Sequence, residues 1–218
     1  MDRSKLNAAT RGIPIPDRMQ HLPINDRGFI VPWFVAQTGE REWDFRAIGP
    51  GKVSRAVQDD VCWLCGRRLG RYRTFTIGPM CAVNRVTAEP PSHKACCRYA
   101  VKACPFLTMP KMVRNEKDMP IGAMQPPGEM IERNPGVTLL WTTLSFQIRG
   151  GLFHIGPPND VEWWAHGRRA TREEVVASVE SGLPILAATC EGDAECLSAL
   201  ASALRLAEAF FPLAEAAE

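Results

Sequence analysis

Six of the eight cysteines and one of the four histidines fall between residues 62 and 104. In Cys62-Trp-Leu-Cys65-Gly66 two residues separate the thiols, a spacing that lets both sulfurs reach one ion, and the glycine relieves the tight turn. His93 and Cys96 form a second pair. They follow Pro90-Pro91-Ser92, where Ser92 reads as a helix N-cap, so both would sit on one face at the start of a helix. Two such pairs make a tetrahedral site for Zn2+, and four protein ligands leave no open position, which makes the metal structural. Two alternates compete: Cys97, adjacent to Cys96, could replace it, and Cys81, in Ile77-Gly-Pro-Met-Cys81, could displace His93. The plainer reading of all these residues is buried free thiols.

Other chemistry open to the same residues fits less well. Cys62-x-x-Cys65 has the spacing of a redox dithiol, but such a motif opens a helix, and GRRLGRYR reads as turn and then strand. Gly66 stands where haem attachment needs histidine. A nuclease built on a hairpin and helix would need a histidine where Gly78-Pro-Met-Cys81 stands, and Asn84 alone cannot hold its cation. Cys81 as a nucleophile with His93 as base lacks a third, orienting group. The reading therefore leans away from an enzyme, with a metal-dependent nuclease or hydrolase kept as the third possibility. A knuckle, a short hairpin and a helix with two ligands in its first turn together resemble the treble-clef zinc finger. That resemblance implies structural zinc and names no activity.

Net charge is only +2, but it is unevenly spread. Residues 62–117 carry eleven Lys/Arg against two Glu, whereas residues 160–218 carry four Arg against eleven Asp/Glu. Such polarity predicts a polyanion partner for the basic part, or contact between the two parts within the chain or across a homodimer. The expected nucleic-acid-binding residues are Arg67, Arg68, Arg71 and Arg73, beside Phe75 on a strand over 71–77, and Lys94, Arg98 and Lys102, a stripe at helical spacing. DNA and RNA are not distinguished. The second reading is a protein-interaction adaptor whose basic face meets an acidic protein.

The remaining elements are read from periodicity. Residues 1–20 predict an irregular, loosely packed arm. A strand over 28–35, interrupted by Pro32, and another over 43–48 make an N-terminal β unit, and a short helix over 53–59 leads into the knuckle. The helix from His93 should end at Pro105. Residues 108–135, rich in proline and methionine, predict a linker. Beyond it, a long strand over 137–148, a turn at Gly150-Gly151, and strands over 152–155 and 161–165 predict an antiparallel sheet. Thr171-Arg-Glu-Glu174 is a capping box for a helix stopped by Gly182 and Pro184, and a last helix over 194–211 buries Leu197, Leu200 and Leu204. The segment GRRATREEVVASVESGLPIL is similar to the tails of small uncharacterised bacterial and prophage proteins, a resemblance that implies no activity.

The expected fold class is thus α+β: a treble-clef-like zinc module with an N-terminal β unit, plus an antiparallel sheet and two C-terminal helices. The expected division is an arm at 1–20, β unit and zinc module at 21–107, a linker at 108–135, and strands with helices at 136–218. The composition, 45% hydrophobic, supports a real core. With no apolar run long enough to span a bilayer and no leader-like N-terminus, the expectation is a cytoplasmic protein with free thiols, Cys190 and Cys196 included.

Overall fold

The computed structural model describes residues 2–109, 117 and 135–214. Short 3-10 turns at Arg3–Lys5 and Asp17–Met19 precede a hairpin of β1 (Val35–Gly39) and β2 (Glu42–Ile48). Helix α1 (Lys52–Gln58), β3 (Arg73–Ile77), α2 (Pro79–Asn84), β4 (Val86–Thr87), α3 (Lys94–Ala103) and α4 (Pro105–Thr108) follow. The second half comprises β5 (Thr138–Thr143), β6 (Phe146–Arg149), β7 (Leu152–Ile155), β8 (Pro158–Ala165), β9 (Arg168–Arg169), α5 (Arg172–Ala188) and α6 (Ala194–Glu208). All strand pairs are antiparallel, so the fold is mixed α+β.

A four-stranded sheet in the order β3-β5-β8-β9 separates two cores. Successive side chains on a strand point to opposite faces, and the pairing keeps the alternation in phase. Phe75 stands opposite Trp141, and Leu139 opposite Trp163. These four pack with Met80 of α2, Val175 and Val179 of α5 and Ala207 of α6. Leu140 and Trp164 face the other way, onto Cys62, Cys65, Cys96, Cys97 and Val101. The β3 strand does not form a self-contained hairpin behind the knuckle. It pairs along its length with β5, so the cysteine-rich segment and the C-terminal strands share one sheet.

Several expectations are corrected. The arm is irregular but not loose: Leu6, Ile15 and Met19 are buried in the cysteine-side core. Of residues 28–35 only Val35 lies in a strand, as the first residue of β1, and Ile30 makes a single bridge to Ile24, because the other backbone groups are used elsewhere. Val31 N–H donates to the Pro23 carbonyl and Trp33 N–H to that of Leu64. The run over 137–148 divides at Leu144-Ser145, where the Thr143 hydroxyl accepts from Ser145 N–H and donates to the Pro157 carbonyl at 2.7 Å, turning the chain into a second sheet. Pro105 opens α4 after Cys104 has ended α3. The capping box at Thr171 and Glu174 is present, but α5 runs past Gly182 and Pro184 to Ala188. Gly182 permits close packing rather than a stop, since a Cβ there would lie 2.9 Å from Met80 Cγ. Leu197 is exposed, while Leu200 and Leu204 reach the core. Cys190 and Cys196 are joined in a disulfide rather than free. Most of the expected linker, with Met112, Met119, Met124 and Met130, lies outside the described residues.

Candidate metal centre

The knuckle is built by its own backbone. Cys62 N–H donates to the Arg67 carbonyl and Gly66 N–H to the Cys62 carbonyl, both at 2.8 Å, which closes the turn. Gly66 holds φ at +68°, a region that costs side-chain-bearing residues. The second pair is delivered by Ser92. Its N–H and carbonyl both pair with Thr74, and its hydroxyl accepts from Leu64 N–H at 3.2 Å, fixing the start of α3 against the knuckle. The N-cap is therefore His93, one residue later than expected, because Ser92 is held in this bridge.

The ligand atoms of Cys62, Cys65, His93 and Cys96 all lie within 4.8 Å of one another. His93 Nδ1 is 3.4 Å from Cys65 Sγ and 3.9 Å from Cys96 Sγ. A tetrahedron with metal–sulfur bonds of about 2.3 Å has edges of about 3.8 Å. The cluster fits that dimension and is positioned to bind a metal ion, with a donor set compatible with zinc. His93 Nε2 lies 3.0 Å from the Arg68 carbonyl. A proton on Nε2 donated to that oxygen leaves the Nδ1 lone pair for the metal.

The electrostatics suit cation capture. Burial alone would raise the Cys62 thiol, but hydrogen bonds from Cys65, Cys96 and His93 outweigh it and draw the thiol well below its usual range. His93 is raised to about 10 by its hydrogen bonds with Cys62 and Cys65, and Cys96 is driven up by Cys62 and Cys65. Thiol and imidazole protons thus share one small volume, and a divalent cation that displaces them relieves the crowding. The alternates lie outside the cluster. Cys97 Sγ points to the Thr74 carbonyl at 3.7 Å, and burial raises its thiol. Cys81 packs against the opposite core, its thiol pushed up to about 11 by burial.

The basic residues divide into two groups. Arg73 pairs with Asp60 at 2.8 Å. Lys94 reaches Asp160 at 2.6 Å and Glu162 at 2.9 Å, Arg98 grips Glu162 through Nε and Nη2, and Arg169 adds a contact at 3.3 Å. Contact between the oppositely charged parts thus occurs within the chain. The Glu162 side chain is 2% exposed. Burial pushes its carboxyl up, but Arg98, Lys94 and Arg169 more than offset this and hold it down to about 2. Phe75, 1% exposed, is core and presents no ring to a ligand. Lys102 sits over the Trp164 ring at 5.2 Å. Arg67, Arg68 and Arg71 are exposed and make no ion pair among the described residues, and Tyr72 beside them is 53% exposed. Sequence reasoning missed Glu162 and Arg169. Glu162 faces α3 because it alternates with Trp163, a parity visible in the strand, but its partner helix lies more than sixty residues away.

Among the described residues no helix is long and apolar enough to cross a membrane. Compared with known proteins, the chain matches no family model, no curated protein and no solved structure.

Proposed function

We propose that this is a non-enzymatic nucleic-acid-binding protein whose binding surface is held in shape by a structural zinc ion on Cys62, Cys65, His93 and Cys96. The observation that carries this reading is the knuckle loop itself: Arg67, Arg68 and Arg71 are exposed without ion pairs among the described residues, next to the exposed ring of Tyr72. Like charges gathered on one loop are relieved by a polyanion through release of its counterions, and a tyrosine among them offers a stacking surface. Lys94 and Arg98 have carboxylate partners within the chain and are secondary to this surface. Treble-clef-like organisation is part of the same reading. It is supported by the order knuckle, Thr74 to Ser92 bridge, and helix with Cys96 in its first turn.

The test is fluorescence anisotropy of the zinc-loaded protein with labelled oligo-U, oligo-dT and duplex DNA at low and near-physiological salt. Binding that weakens steeply with salt and is lost in an R67A/R68A/R71A variant is the expected result. No binding to any of the three, with retention of polyglutamate instead, would replace this reading by the adaptor for an acidic protein.

A further inference from the structure

The knuckle loop continues into a second cationic and aromatic surface that its sequence neighbours do not reveal. Trp33 is strapped to the knuckle: its N–H donates to the Leu64 carbonyl at 2.9 Å, and its ring lies so close to Gly66 that a Cβ there would be 2.4 Å from Trp33 Cδ1. The chain neighbour of that glycine is Arg67. Over the same indole stand two cations of α1, Lys52 Nζ at 4.1 Å from the ring centroid and the Arg55 guanidinium at 5.8 Å. Lys52 has no carboxylate partner among the described residues, and Arg55 has only a long contact to Asp59 at 3.6 Å, the Arg55 and Asp59 side chains being more than half exposed. Burial, and to a lesser degree the charge of Arg55, lowers the Lys52 ammonium from its ordinary value.

We propose that Trp33, Lys52 and Arg55 extend the Arg67 loop into one binding track, and that the ligand crossing it is a single-stranded nucleic acid. The reasoning rests on the nucleic-acid reading above. A single strand supplies both components the track is built for: phosphates for Lys52, Arg55 and Arg67, and an unstacked base for the Trp33 indole. Lysine is a flexible point charge, so Lys52 can leave the indole for a phosphate while a base takes its place. A duplex keeps its bases stacked inside and uses only the cations. An acidic protein segment likewise has no use for the indole between them.

The experiment uses the full zinc-loaded chain with oligo-U, oligo-dT and a duplex of matching sequence. K52A/R55A, which removes side chains that make none of the knuckle hydrogen bonds among the described residues, should weaken single-strand binding about tenfold and reduce the slope of log K against log salt by about 1.4, two phosphate contacts' worth. Tryptophan fluorescence should be quenched by the single strands and not by the duplex, and W33F, which keeps an aromatic ring against Gly66, should lose that quenching. If K52A/R55A binds as the parent does while R67A/R68A/R71A loses binding, the extension is wrong and the knuckle-loop reading stands. If no nucleic acid binds at all, both fall. Equal quenching and equal K52A/R55A sensitivity with duplex would overturn the single-strand assignment.

Discussion

At the residue scale, two polar clusters meet across one helix. His93 and Cys96 open α3 beside the knuckle, and Lys94 in the same turn and Arg98 one turn further seize Glu162 from β8. The second cluster makes stability depend on pH. The Glu162 carboxyl falls from an ordinary 4.5 to about 2, so its contribution is present above pH 4.5 and lost as pH falls through 2. A shift of this size is worth about 3 kcal/mol at neutral pH. Urea melts should therefore find E162Q less stable by about that amount at pH 7, with the parent's loss between pH 4.5 and 2 flattened. An E162Q protein as stable as the parent at pH 7 would mean the three cations gain nothing from the carboxylate. The candidate metal-binding cluster was legible in the sequence because its spacing is local within each pair and cysteine is chemically conspicuous. Glu162 was not, because its significance depends on a partner brought to it by a β-sheet.

At the element scale, what the sequence reveals depends on whether a segment's backbone bonds are local. Helix α1, strand β3, the β6 and β7 hairpin and the capping box of α5 are all stated by periodicity and turn residues near at hand. The stretch over 28–35 is apolar and β-branched, yet its hydrogen bonds go to Pro23 and Leu64, and no pattern in it announces that. Gly182 and Pro184 mislead for a similar reason: a glycine that lets α5 approach Met80 is written the same way as one that ends a helix. Gly66 joins both roles, with its positive φ and its ring contact with Trp33. Gly66→Ala should cost about 1–3 kcal/mol in the zinc-loaded protein, read by denaturant midpoint. An unchanged midpoint would mean that the indole swings aside freely.

At the scale of the whole molecule, one sheet carries two cores of different character. One is an ordinary apolar core closed by α2, α5 and α6. The other combines the arm, the knuckle and α3, and four of its members are cysteines. On the first side, the Cys190 and Cys196 disulfide ties the end of α5 to the start of α6, whose residues 194–199 are all exposed. The paired C190S/C196S variant should lose about 2 kcal/mol, as expected for a short closed loop, with faster amide exchange confined to the first turns of α6. Exchange unchanged there would show that packing at Leu200 and Leu204 suffices. On the second side, four cysteine sulfurs lie among the apolar side chains, and in the proposed reading a bound zinc ties the knuckle to α3. The most direct measurement is native mass spectrometry of the full chain beside H93A and C96S variants, with a denaturant melt before and after chelation. One zinc per chain, its loss in both variants, and a destabilised α3 and knuckle once zinc is removed are the expected results. A chain that carries no zinc, or that keeps it when His93 and Cys96 are replaced, would mean that Cys62, Cys65, His93 and Cys96 are not a zinc site.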